Sequence, residues 1–190
     1  MAERIRFGLS NIHVAFLDQS GTEPDWETVT AIPGAVNMDI EEDGNSNDFY
    51  ADNTVYAALG SAAGLSGSIE VALFPDEFLA EAMGYRIDSR GGLVELAGAV
   101  KKPFALGFQI ENDESGRRAW LYNVTLSRPK EDHATTSDSI DVATETADFK
   151  AAPLLIGGEK VAKYSLTRTS TNATTYDAFF NAVTVPAAQA

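Results

Sequence analysis

The sequence predicts a mainly β protein, a β-sandwich or barrel with one short helix on its flank at about 76–83 and a long loop over 41–64. Two observations carry this. Many short stretches alternate apolar with polar residues and are separated by turn signals, the pattern of half-buried strands. A single segment has both a start and a stop signal for a helix.

Residues 7–17 place Leu9, Ile12, Val14 and Phe16 among small or polar neighbours, which predicts a first strand with His13 facing outward. Residues 18–21 read as a turn, 26–32 lead to Pro33-Gly34, and 35–40 read as another strand. Over 41–64 the first half is acidic and rich in Asn and Gly, while Phe49, Tyr50, Val55, Tyr56 and Leu59 bring large apolar surface. Long loops in compact domains are usually functional or disordered, and aromatic residues argue against plain disorder. The segment therefore reads as an arm that orders on a partner, the alternative being a loop folded back on its own domain. The residues expected at that contact are Phe49, Tyr50, Asp52, Asn53, Val55 and Tyr56.

Ile69, Val71 and Leu73 alternate with Ser68, Glu70 and Ala72 as a strand that Pro75 ends. Asp76 and Glu77 then supply negative charge where a helix N-terminus favours it, and Gly84 is placed to cap the other end. Phe78, Leu79, Ala82 and Met83 form one apolar face. A helix this short is marginal in water, so that face is expected to pack on the sheet. Residues 85–88 and 93–96 flank a Ser89-Arg90-Gly91-Gly92 turn. Phe104, Leu106, Phe108 and Ile110 alternate as one strand, and Trp120, Tyr122, Val124 and Leu126 as the next, predicting a hairpin with one strongly apolar face. Further strands are expected at 138–149 and 161–169, a turn at Gly157-Gly158, and a short helix over 176–183 carrying Phe179, Phe180 and Val183. The organisation is one domain over 1–185 with a frayed tail at 186–190.

The chain has 28 acidic and 14 basic residues, net −14, so a surface that grips nucleic acid is not expected. No apolar run approaches the length needed to span a membrane, and charges in residues 1–6 stand where a signal peptide needs an apolar core. With no Cys there is no disulfide, thiolate ligand or Cys nucleophile, which is compatible with folding in a reducing cytoplasm. Asp39 to Asn45 opens like a calcium loop but has Tyr50 where the twelfth-position Glu is required. His13 and His133 have no zinc spacing, and no phosphate loop, nucleophile elbow or nucleotide fingerprint occurs. No catalytic residue, metal site or cofactor is predicted, and the expectation is a protein that is not an enzyme. Abundant carboxylates leave a paired-acid hydrolase as the enzymatic alternative, which requires two acids at a set separation in a sugar-sized cleft.

Several motifs occur in a characteristic order: Tyr50-Ala-Asp-Asn-Thr54 with Tyr56, Gly67-Ser-Ile-Glu70-Val-Ala-Leu, the Phe78-Leu79 helix ending at Gly84, Pro103-Phe-Ala-Leu-Gly-Phe108, Leu121-Tyr122-Asn-Val124 and Ser127-Arg128-Pro129. Over roughly residues 50–146 this order resembles the major tail (tail tube) proteins of long-tailed, non-contractile-tail bacteriophages, the Gram-positive-host type. The resemblance implies a tail-tube-like β-sandwich with a flanking helix and homohexameric rings stacked into a tube. It also implies a loop, here 41–64, that reaches neighbouring subunits. It further implies a virion location, assembly in the host cytoplasm, a tape-measure protein and a tail terminator as partners, and DNA that passes during genome ejection without specific binding. The first forty residues and the Ser/Thr-rich C-terminal third lie outside the resemblance. A different class of function, a monomeric β-sandwich module binding carbohydrate or protein through Tyr50, Tyr56 and Trp26, fits the same aromatic residues.

Overall fold

The computed structural model describes residues 7–21, 23–51, 54–111, 116–131 and 143–187, with side chains described at all of these except 7, 44–51 and 54–63. The strands are β1 (Phe7–Asp18), β2 (Asp25–Trp26), β3 (Thr30–Ile32), β4 (Ala35–Ala51), β5 (Thr54–Val71), β6 (Arg86–Ile87), β7 (Leu93–Val94), β8 (Phe104–Glu111), β9 (Arg117–Leu126), β10 (Glu145–Ala151), β11 (Leu154–Ile156), β12 (Glu159–Val161) and β13 (Lys163–Thr167). Two short helices join them, α1 (Asp76–Met83) and α2 (Ala173–Asp177).

One antiparallel sheet of nine strands dominates, in the order β2-β1-β8-β9-β10-β5-β4, with β3 alongside β1 and β13 alongside β9. The β1 side of the sheet and its β4 end are linked through the chain itself. Strand β3 pairs with β1, strand β4 pairs with β5, and only Pro33 and Gly34 separate them. Proline offers no N–H to the β1 ladder. Gly34 takes the left-handed φ of 85°, and its carbonyl accepts the Ala72 amide at 2.8 Å. The chain thus leaves one strand and joins the other, and β4 lies against β1 on the way. The result is a mainly β, sandwich-like barrel.

Its interior is the face on which Ile12, Val14, Phe16, Ile69, Val71, Phe104, Leu106, Phe108 and Phe149 are buried together. The alternation of Phe104, Leu106 and Phe108 on β8 is as the pattern predicts, with Ile110 partly buried against the same cluster. Strand β9 differs from its expected single apolar face. Phe104 faces Val124 but Leu106 faces Leu121, so β9 holds one residue more than β8 between the two pairs. A bulge of this kind reverses which residues point inward. Ala119, Leu121, Val124 and Leu126 fill the barrel, whereas Trp120 and Tyr122 face outward into a second cluster.

That second cluster is roofed by the C-terminal segment. Ala105, Trp120, Tyr122 and Phe179 are fully buried in it, with Trp26, Leu154, Tyr164, Leu166 and Phe180 packed against them. Trp120 Nε1 donates to the Phe179 carbonyl at 3.1 Å, and the Tyr122 hydroxyl donates to the Thr184 carbonyl at 2.7 Å. Burial, reinforced by the nearby Tyr164, pushes the Tyr122 phenol far above the ordinary tyrosine range. Further along β9, Arg118 donates to the Tyr176 carbonyl at 2.5 Å and lies over the Tyr176 ring. The helix expected over 176–183 is displaced: α2 covers 173–177, and Phe179, Phe180 and Val183 follow it in turns. His13 is half-buried, its ring stacked on Phe180 at 4.3 Å, because this segment crosses β1.

Helix α1 closes one end of the barrel and begins and ends where its signals stand. Asp76 and Glu77 occupy the first turn, and Gly84 adopts the left-handed φ of 69° at the C-cap. A side chain at Gly84 would meet the Val100 carbonyl oxygen at 2.4 Å, so the position serves both cap and packing. Phe78, Ala82 and Met83 are buried and Leu79 is packed half-buried against the same cluster. The Phe78 ring meets Phe104 edge-on at 5.2 Å, with Phe74 and Phe16 at 5.9 and 6.0 Å. Leu73 is an exception to the expected alternation. Strand β5 ends at Val71, and Leu73 is 65% exposed.

The segment 41–64, expected as a loop, is extended instead. Residues 41–51 belong to β4 and 54–64 to β5, paired with each other to their ends. The composition misleads because Gly, Asn, Asp, Ser and Ala are poor strand formers, yet register with a partner overrides such propensities.

Candidate assembly surface

Strands β4 and β5 are far longer than the sheet they belong to. Strand β10 pairs with β5 only from Leu65 to Val71. From there outward β4 and β5 run on as a two-stranded ribbon, from Gly44 opposite Ala62 to Ala51 opposite Thr54. At about 3.3 Å per residue, the portion of β5 from Thr54 to Gly64 extends roughly 35 Å beyond the sheet. Among the described residues no third strand pairs with it.

The departure point is built by a bulge. Glu42 faces Leu65 but Gly44 faces Ala62, so β5 carries the extra residue there. Gly64 lies in that interval with a φ of 147°, and a side chain on it would meet the Ala151 carbonyl oxygen at 2.5 Å. Bulges bend a strand and increase its twist, which turns the ribbon away where β10 ends. Lys150 Nζ then reaches Asp43 at 3.2 Å across the base of the ribbon.

Four of the six residues expected at a partner contact lie at the far end of this ribbon. Phe49 stands opposite Ala57 and Tyr50 opposite Val55, so Tyr56 is the extra residue of a second bulge. Asp52 and Asn53 lie outside the described residues. The sequence does carry a signal for a hairpin here: an Asp-Asn pair between Phe-Tyr-Ala and Thr-Val-Tyr. The helix residues Phe78, Leu79, Ala82 and Met83 pack in or against the main core cluster.

Trp26 is not part of a surface aromatic platform. Its ring packs on Tyr122 at 5.6 Å and its Nε1 donates to the Tyr122 carbonyl at 3.4 Å. The stretch Asp39 to Asn45, which opens like a calcium loop, is extended within β4. There the Asp39 carboxylate accepts from both the Ser68 amide and the Ser68 hydroxyl.

Among the described strands with a single ladder partner, β4 and β13 are the longest. Strand β4 has β5 as its sole ladder partner, and β13 has β9. Open edges present a row of unpaired N–H and C=O groups and invite another strand.

No protein-family model matches the chain, and no curated protein matches it significantly. Among solved structures, one chain of the "Cryo-EM structure of the anti-feeding prophage (AFP) baseplate, 6-fold symmetrised" is similar at 10% identity, over 82% of this chain and 92% of that one, with a TM-score of 0.40. A likeness that slight carries no argument about fold or role.

Proposed function

We propose that the protein is a structural subunit of a phage or prophage tail tube, forming stacked hexameric rings whose acidic lumen conducts DNA, and that it has no catalytic role. The observation that carries the reading is the ribbon. A two-stranded hairpin is at best marginally stable alone in water, and this one runs about 35 Å past the last strand that supports it. Contact with sister copies supplies the missing support, and ring closure also satisfies the open edges of β4 and β13. The ordered motifs that resemble tail tube proteins specify which assembly, and a net charge of −14 per copy repels a passing duplex rather than holding it.

The test is negative-stain electron microscopy of concentrated protein, in which rings or tubes are expected. A variant with residues 46–60 replaced by Asn-Gly keeps the base of the ribbon in register through a two-residue turn. It should melt within about 0.5 kcal/mol of the parent, as substitutions away from the core do, yet lose assembly. The milder pair Tyr50→Ser and Tyr56→Ser should weaken assembly in the same direction. A parent protein that stays a monodisperse monomer at every salt and protein concentration overturns the reading. So does a large loss of monomer stability on trimming, because the ribbon then belongs to the subunit's own core.

A further inference from the structure

We infer that the outer face of β4, β5, β10 and the far end of β9 is the flank that borders the channel. This rests on the tail tube reading and adds to it which of the barrel's flanks the cargo meets.

Register alone separates this face from the interior. The row Glu41, Ser66, Lys150, Thr125 crosses four strands, and the rows Asp39, Ser68, Asp148 and Asn37, Glu70, Thr146 cross three. The alternate positions, such as Met38, Ile69 and Phe149, pack inside the barrel. Every residue in these outer rows is polar or charged.

The other flanks are different in kind. Leu73 and Val100, 65% and 85% exposed, flank α1. Leu155, 58% exposed, lies on β11 between Leu154 and Ile156, which pack against the Trp120 and Tyr122 cluster. Val36, 50% exposed at the first bulge of β4, lies at the margin of the polar rows, beside Asn37. Protein contacts draw on apolar surface, and in an assembled ring the flank without it remains wet.

The charges on the wet flank are arranged so as not to hold phosphate. Lys150 pairs with Asp43 at 3.2 Å and Lys130 approaches Asp148 at 4.0 Å. Lys101 lines the shallow groove between Ser66 and Ser127. Against these three lysines stand Asp39, Glu41, Asp43, Glu70 and Asp148. Duplex binding depends on cations free to displace counterions, and here carboxylates outnumber the cations and occupy two of them.

The absence of Cys from the natural sequence allows a direct test. Thr125→Cys places a thiol at an exposed position on this face, and Leu155→Cys places one on the C-terminal flank. Each is labelled in assembled tubes with N-ethylmaleimide and, separately, with a maleimide on a polymer too bulky to diffuse along the bore. The expected result is that Thr125→Cys tubes react with the small reagent and lose reaction with the bulky one, while soluble subunits react with both. Leu155→Cys serves as the comparison site in the same tubes. Reaction of Thr125→Cys tubes with both reagents puts the face on the tube exterior, and reaction with neither puts it in a subunit interface; either overturns the inference. Failure of the parent protein to form rings or tubes overturns the tail tube reading itself, and the inference with it.

Discussion

Replacing Gly107 by Ala tests whether the outward-facing half of the sheet is packed as tightly as described. Gly107 pairs with Trp120 across the β8–β9 ladder, and the indole lies over it. A Cβ at 107 would stand 2.7, 2.8 and 2.9 Å from Trp120 Cζ3, Cη2 and Cε3, well inside van der Waals contact. The ring has nowhere to go. Trp120 is fully buried, its Nε1 is held by the Phe179 carbonyl at 3.1 Å, and Phe180 meets it edge-on at 5.7 Å. Forcing an extra carbon into a packed site costs roughly 1–3 kcal/mol. For a domain of this size each kcal/mol lowers Tm by about 2–4 °C, so Gly107→Ala should melt roughly 4–8 °C below the parent for a mid-range cost of about 2 kcal/mol. Urea melts followed by tryptophan fluorescence and circular dichroism measure the loss. The double variant Gly107→Ala, Trp120→Phe should recover about 1 kcal/mol relative to the sum of the single changes, since the smaller ring removes the clash. A loss below about 0.5 kcal/mol, or strict additivity in the double variant, refutes the packing argument.

Tyr122→Phe removes the hydroxyl that donates to the Thr184 carbonyl and should cost about 1–2 kcal/mol, read by thermal melting, with the C-terminal segment becoming the first site of proteolytic cleavage. In an alkaline titration of the folded parent, burial should keep the Tyr122 phenol protonated above the ordinary tyrosine range, which tyrosinate absorbance records against Tyr122→Phe. Lys102 Nζ lies between Glu27 and Glu81 at 2.6 and 2.5 Å, and although burial lowers its pKa, the two carboxylates outweigh this and raise it above the ordinary 10.5. The pairing therefore contributes fully below the ordinary lysine range and is lost as pH rises through the elevated folded value. Because the group is a third exposed, Lys102→Met should cost less than about 1 kcal/mol at neutral pH, with the gap to the parent closing at strongly alkaline pH.

What local chemistry could dictate was legible in the residues. The helix at 76–83 follows from acids at its start, an apolar stripe at helical spacing and a glycine at its cap, all carried within a few residues of one another. The inward set of β8 follows in the same way: both faces are buried, but the large apolar Phe104, Leu106 and Phe108 alternate with the small or polar Ala105, Gly107 and Gln109. Where both faces carry large apolar residues, that signal loses its sense. On β9 both Trp120 and Leu121 are buried, and only the bulge against β8 determines which enters the barrel.

The ribbon lay beyond local reading for the opposite reason. Residues 41–64 have weak strand propensity, so their extended form depends on register with each other and on the bulge that turns them out at Gly64. Composition and local pattern by themselves determined that the chain is a mainly β folder with one helix, that it is strongly acidic, and that aromatic side chains are concentrated near 49–56. Tertiary structure alone decided that those aromatics sit at the tip of a projecting pair of strands, that the chain crosses from the β1 side of the sheet to its β4 end through Pro33-Gly34, and that the C-terminal segment roofs Trp120 and Tyr122. The physical reason is range. Capping, alternation and charge act between neighbours in the chain, whereas register, bulges and the covering of a second apolar face depend on residues brought together from opposite ends of it.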